Sequence, residues 1–227
     1  MAVVDDVATA RWRAGGRTQP LLRGWIHLCA IPVAVAAALL LVSMAPDPIA
    51  RVAAVVYGVT VCAVFTVSAL YHRVRWHWVA HLRMRRLDHG TIFLMIAGTF
   101  TPLCVLALGG ATCVVLLSVV WTVAVAAFVL SVTGIADRTP VVANACYVGL
   151  AGMGLVVIPA LIGPLEGWQL LLITVGGVLY SVGAVCLATG RPDPFPATFG
   201  YHEIWHALVV VACACQYVVI VSLVRAG

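Results

Sequence analysis

Apolar runs of about 20 residues alternate with short polar turns along almost the whole chain. A run of that length is what an α-helix needs to cross the ~30 Å hydrocarbon core of a bilayer. Because lipid offers the backbone no hydrogen-bond partners, a crossing segment must satisfy its own backbone groups, as a helix does. The pattern predicts seven spans, at about 25–44, 51–72, 88–108, 112–133, 140–162, 168–189 and 200–224.

Proline and glycine lie between these runs and predict where the helices end. Residues 45–48 (Ala-Pro-Asp-Pro) and 109–110 (Gly-Gly) are two such turns, and the proline-rich stretch 191–196 predicts a rigid loop before the last span. We therefore expect an all-α protein. Its single domain would be a seven-transmembrane helix bundle over residues 25–227, preceded by an interfacial segment over residues 1–24.

The composition agrees with a membrane protein and excludes a soluble domain. Hydrophobic residues make up 63% of the 227 residues and charged residues only 9%, which is too few to cover a water-exposed surface. We expect a multi-pass protein of the plasma membrane that has membrane lipids as partners. The formal net charge of +5 orients such a chain in the bilayer and is no evidence for nucleic-acid binding.

The basic residues are all arginines and are distributed unevenly along the chain. With the N-terminus inside, eleven of the thirteen fall on the inner face, five of them in a predicted loop over residues 73–86. Only Arg51 and Arg225 fall outside. The positive-inside rule therefore predicts a cytoplasmic N-terminus and an extracytoplasmic C-terminus.

Three groups of polar residues lie at the ends of apolar spans, where ionisable side chains are rare and mark functional sites. They end the second span, begin the third and begin the seventh, and their members are, in that order, Ser68 and His72; Asp88 and His89; and His202, Glu203 and His206. Because successive spans run in opposite directions, all three groups are expected at one depth, just within the inner leaflet.

Three histidines and an acid in one layer predict a zinc site. His202 and His206 are four residues apart and share a helix face, and His72 joins them from the second span. Three neutral imidazoles with an open fourth position suit a zinc ion that activates water. Asp88 is expected to offset the charge and take a proton, and Ser68 to hydrogen-bond a water or a substrate oxygen. The alternative for Asp88 is an acid stabilised by the helix dipole.

The stretch from His202 to His206 is also an H-E-x-x-H pattern, in which the glutamate of a metalloprotease acts as general base. Glu203 leaves the helix ~100° from His202, so we expect it to face headgroups or the helix N-terminus. The simpler alternative is two interfacial histidines around a tryptophan. The other histidines are expected to be non-ligands, with His89 as a helix contact or a neighbour of the ligands and with interfacial positions for His27, His77 and His81.

At these residues the sequence resembles the hemolysin III family, the bacterial branch of the progestin and adipoQ receptor superfamily. The resemblance covers almost the whole chain, and the segments that carry it are Arg23-Gly24-Trp25-Ile26-His27, Ser68-Ala69-Leu70-Tyr71-His72, Arg86-Leu87-Asp88-His89-Gly90, Ala97-Gly98-Thr99-Phe100-Thr101-Pro102 and His202-Glu203-Ile204-Trp205-His206.

The resemblance implies seven helices, an inner N-terminus, and zinc held by His72, His202 and His206 with Ser68 and Asp88 nearby. Proteins similar to this family, and the related alkaline ceramidases, hydrolyse lipid amides.

Four functions fit these features. The first is a zinc-dependent hydrolase of a lipid amide or ester, or a membrane-homeostasis protein that uses the same site, with Asp88 handling the proton and Ser68 helping zinc to stabilise the developing oxyanion. The second is a non-enzymatic lipid sensor or receptor with structural zinc. The third is a pore-forming cytolysin, for which these nearly uniformly apolar spans lack a polar stripe. The fourth is an intramembrane metalloprotease, which would need Glu203 as its base.

The distribution of arginines gives a prediction about topology. Reporters fused after residue 80 and after residue 227 should report opposite sides of the membrane, the first cytoplasmic and the second external. Alkaline phosphatase and a cytoplasmic fluorescent protein, each fused at both positions, measure this. Equal accessibility of the two positions would contradict seven spans.

Overall fold

The computed structural model describes residues 20–139 and 157–226, together with positions 141, 145, 149, 152 and 154. The described elements are helices, and we number them in chain order. Their bounds are α1 Trp25–Met44, α2 Pro48–Arg73, α3 Trp78–Ala107, α4 Gly110–Val132, the short α5 Ile135–Arg138, α6 Gly167–Thr189 and α7 Tyr201–Ala226.

Six of the seven predicted spans are present as helices long and apolar enough to cross a membrane. The predicted fifth span, at 140–162, lies mostly outside the described residues, although positions 141, 145, 149, 152, 154 and 157–161 are helical. The count of seven and the orientation of the termini therefore stay predictions. Most of the predicted interfacial segment, residues 1–19, is also outside the described part of the chain.

The third helix begins ten residues before the predicted start of the third span. Helix α3 begins at Trp78 and runs for 30 residues, so most of the expected basic loop is helical. The arginines in its first turns kept the hydropathy low, but no proline or glycine interrupts the helix before Gly90. Asp88 is consequently in the third turn of α3. The helix dipole, which acts within the first turn, does not explain why an acid is there.

Two helices begin at side chains that satisfy their first backbone N–H groups. Asp47 precedes Pro48 of α2, and its Oδ1 accepts hydrogen bonds from the amides of Ile49 at 2.7 Å and Ala50 at 3.0 Å. Glu166 and Gln169 form a reciprocal capping box at the start of α6. Sharp starts of this kind let short turns join long membrane helices.

The core lies where α1 and α3 pack against both α2 and α7, around residues such as Leu41, Tyr57 and Ile220. Glycine permits close approach between the helices: a Cβ on Gly98 of α3 would collide with the Thr60 side chain of α2. On the outside, large aliphatic side chains are exposed. Five of them, with between 61% and 69% of their surface exposed, are Val33, Leu39, Ile49, Val114 and Val185. This apolar exterior is the surface expected of a protein that faces lipid.

One end of the bundle collects most of the polar contacts. There Arg85 and Arg86 of α3 form ion pairs with Asp137 of α5, at 3.0 Å and 2.8 Å. At the same end, the amides of Leu21 and Leu22 donate hydrogen bonds to the loop between α6 and α7. The segment 20–24 is therefore a turn fixed to that loop, and we call it the N-terminal strap.

Candidate metal centre

Three helices bring the five predicted site residues to this polar end of the bundle. Ser68 and His72 lie near the end of α2, Asp88 lies on α3, and His202 and His206 begin α7. Each is held on a helix, so its side chain starts from a rigid backbone. Their roles as ligands or catalytic groups stay predictions, but the structure shows which of them meet.

His72, His202 and His206 form a cluster that can hold a metal ion. One nitrogen of each ring lies within 4.8 Å of the corresponding nitrogens of the other two. The Nε2 atoms of His72 and His202 are 3.2 Å apart. His72 and His202 are 130 residues apart in the chain, and they meet because the end of α2 and the start of α7 lie at the same end of the bundle.

The shortest of these distances agrees with a tetrahedral zinc site. Zn–N bonds of about 2.0–2.1 Å place two nitrogen ligands about 3.3–3.4 Å apart. The 3.2 Å contact between His72 and His202 is close to that value. It also permits one neutral imidazole to donate a hydrogen bond to the other, which is the arrangement available without an ion. The donor set therefore fits the predicted metal.

Ser68 and Asp88 form a pair beside this cluster. The Ser68 side chain is 2% exposed and lies where it can donate a hydrogen bond to the Asp88 carboxyl group. Ser68 is one helical turn before His72 on the same helix, so the pair adjoins the histidines. A hydrogen bond from Ser68 would fix the direction in which the carboxyl group points.

The sequence offered two positions for Glu203, and the first of them, facing lipid headgroups, is not observed. Glu203 is 1% exposed, and its Oε1 accepts a 2.6 Å hydrogen bond from the Nε of Arg23 in an ion pair. Its other oxygen, Oε2, accepts a hydrogen bond from the amide of Gly200 at 2.8 Å. The expected alternative, an acid that satisfies its own helix N-terminus, is therefore the one observed. A long basic side chain from the strap reaches it, which sequence spacing did not reveal.

The N-terminal strap packs directly against the histidine cluster. Gly24 has a φ of 78°, and a Cβ at this position would lie 2.7 Å from the Cβ of His72. Both the left-handed backbone and the close contact therefore require glycine here. Arg23, next to it, makes the ion pair with Glu203. The strap thus joins α2 and α7 at the end where the cluster lies.

His27 is the residue that sequence reasoning placed wrongly. It was expected at the interface, but it is 3% exposed and its ring stacks on that of His206, with centroids 4.0 Å apart and an interplanar angle of 8°. A usable signal existed. The first span begins at the same end as the other polar groups, and Arg23 and His27 are four residues apart, so the argument from alternating spans also applied to His27.

The remaining histidines lie outside the group of three. His89 is exposed, and its Nδ1–H donates to the carbonyl of Arg85 at 2.7 Å, which agrees with the expected helix contact. His77 is exposed at the start of α3. His81 contacts the ring of Tyr71, with 5.1 Å between the centroids.

Comparison with known proteins supports the resemblance. The family described as Haemolysin-III related matches residues 16–217. Hemolysin-3 of Bacillus cereus is 33% identical over 168 residues, which cover 74% of this chain and 73% of that protein. The Hemolysin-3 homolog of Bacillus subtilis is 27% identical over 162 residues, covering 71% and 72%. The human monocyte to macrophage differentiation factor is 27% identical over 198 residues, covering 85% and 79%.

The buried ion pair gives a prediction about stability. Glu203→Gln leaves the Arg23 guanidinium without its counter-charge, so it should lower the free energy of unfolding by about 3 kcal/mol or more. Asp137→Asn is the control, because Asp137 also pairs with arginines but its side chain is 33% exposed; its effect should stay below about 1 kcal/mol. Thermal unfolding in detergent measures both variants. Equal effects of the two would contradict a structural role for Glu203.

Proposed function

We propose that this chain, which belongs to the Haemolysin-III related family of integral membrane proteins, is a zinc-dependent hydrolase of lipid amides or esters. The observation that carries the proposal is the convergence of His72, His202 and His206 beside a serine–aspartate pair. The human relative supports the wider placement in the progestin and adipoQ receptor superfamily.

The proposed ligands are the three histidines of the cluster. Zinc, when bound there, supplies Lewis-acid polarisation of a carbonyl group and activation of water. Neutral imidazoles are the ligand type expected in a partly buried position, because they add no charge to the site. The outer faces of the helices expose large aliphatic side chains, and this is the surface from which an acyl chain would reach the site.

Asp88 is the proposed general base and acid. Its carboxyl group takes a proton from the attacking water and returns it to the leaving amine or alcohol. Ser68 orients that carboxyl group through its hydrogen bond, which keeps one oxygen of Asp88 directed toward the reacting atoms. The ion pair of Arg23 with Glu203 holds the start of α7, and with it His202 and His206, in place.

A non-enzymatic lipid sensor is the second candidate. It is favoured by the way the cluster joins α2 to α7, because an ion shared by two helices can fix their packing without any reaction. The protease alternative is disfavoured, because Glu203 is engaged by Arg23 and by the amide of Gly200. A pore is disfavoured by the apolar exterior of the described spans.

The proposal predicts one zinc ion per chain. His72→Ala, His202→Ala and His206→Ala should each lower zinc occupancy by about tenfold or more, since each removes one of three ligands. Elemental analysis of purified protein measures the occupancy, and His77→Ala is the matched control because His77 is exposed at the start of α3. Full zinc retention in the His72→Ala protein would contradict the three-histidine site.

The role of Asp88 is tested separately from the metal. Asp88→Asn should keep most of the zinc but lower hydrolysis by about 100-fold or more, the usual contribution of a general base. The measurement is fatty-acid release from lipid amides and esters by variants with known zinc content. Wild-type protein that holds zinc yet releases no fatty acid from any lipid extract would favour the sensor.

A further inference from the structure

His27 has no role in the proposed reaction, yet it is a buried histidine in contact with the metal-binding cluster. It lies in the first turn of α1, near the N-terminal strap, and only 3% of its surface is exposed. Its ring lies between the ring of Phe65, at 5.0 Å, and the ring of His206, at 4.0 Å. A phenylalanine or leucine would fill such a space without the cost of burying a polar ring.

Both ring nitrogens of His27 are unpartnered among the described residues. The main chain of His206 is nearby, but not with the geometry of a hydrogen bond. A buried donor or acceptor left without a partner costs about 1–3 kcal/mol, so buried polar groups are nearly always bonded to something. A polar partner for this ring would therefore come from outside the described residues.

The stacking geometry shows what that partner is not. A metal ion held by His206 would bind at a nitrogen of that ring, whereas the His27 ring is stacked on the face of the same ring, with centroids 4.0 Å apart. That separation is about twice a Zn–N bond of about 2.0–2.1 Å. His27 is therefore too far from such an ion to be a ligand of it. An oxygen atom of a small ligand, within hydrogen-bond distance of a ring nitrogen of His27, would link this ring to the group that the three histidines hold.

We propose that His27 is a binding residue of this site: one of its ring nitrogens hydrogen-bonds an oxygen atom of the small ligand held beside the three histidines. The ligand class is a carboxylate, ester or amide oxygen. The inference rests on the proposed metal site, and it assigns to α1 a part of the site that the serine, aspartate and histidine motifs do not include.

The test uses full-length protein in detergent, stripped of metal and loaded with Co²⁺, whose visible spectrum reports its ligands. Acetate is the probe, because its oxygen both binds metal and accepts a hydrogen bond. We expect acetate to change the spectrum of the wild type. His27→Phe, which keeps an aromatic ring against His206, should bind cobalt with the same stoichiometry but acetate about tenfold more weakly, a loss of ~1.4 kcal/mol.

Two variants accompany it. His27→Gln restores a donor and an acceptor and should recover most of the acetate affinity, which a purely structural role for the ring would not predict. His77→Phe is the matched control at an exposed histidine and should bind acetate as the wild type does. If His27→Phe does not fold, His27→Met, of similar volume and without an N–H donor, takes its place.

The outcomes separate this inference from the proposed function. Acetate affinity within twofold of the wild type in the His27→Phe or His27→Met protein overturns the role of His27 and leaves the metal site standing. Cobalt loss on His27→Phe, with retention in His77→Phe, also overturns it, because His27 would then support the ion itself. Failure of the wild type to bind cobalt overturns both, and the same holds if His72→Ala binds it fully.

Discussion

The ion pair between Arg23 and Glu203 is the contact on which the arrangement of the site depends. It joins two residues that are 180 positions apart in the chain, and the carboxylate is almost completely buried. A carboxylate in such a place is tolerated only with a cationic partner. The pairing of this carboxylate with Arg23 holds the strap, the start of α7 and the loop before α7 together. The positions of the histidines on α7 depend on that arrangement.

Other polar groups at this end of the bundle are also paired with each other. Asp137 receives two arginines of α3, and Ser131 donates to the carbonyl of Arg86 at 2.7 Å. Ser131 is 6% exposed, so its hydroxyl group would be costly to bury without a partner. Because the spans themselves are apolar, such contacts specify which helix ends meet, whereas close packing at small residues such as Gly98 specifies how near they come.

The helices were predictable because hydrophobic length is a direct measure of bilayer thickness. The bounds of α1 and α6 agree with the expected spans within one residue. The meeting of His72 with His202 and His206 was also predictable, since the alternating direction of spans fixes depth. Hydropathy does not report where a helix begins in polar surroundings, and so the start of α3 was missed.

The contacts of Glu203 and His27 were not predictable in the same way. Both depend on how the strap folds back, which is decided by Gly24 and by its hydrogen bonds to the loop before α7, not by any periodic pattern. Arg23 and Glu203 are 180 positions apart, and only the packing of the folded chain brings them together. In the predicted fifth span, positions 141, 145, 149, 152, 154 and 157–161 are helical, as the sequence predicts.

The length of α3 has a consequence for how a lipid would meet this protein. From Asp88 to the end of the helix at Ala107, a rise of ~1.5 Å per residue gives about 28 Å, close to the ~30 Å of the hydrocarbon core. The first ten residues of the helix then extend into the headgroup region. With Ala107 at one boundary of the hydrocarbon core, Asp88 would lie at the other, where the linkages between acyl chains and headgroups are found. A lipid drifting sideways in its own leaflet would present that linkage to the site without being lifted out of the bilayer, and its acyl tails would stay solvated by their neighbours.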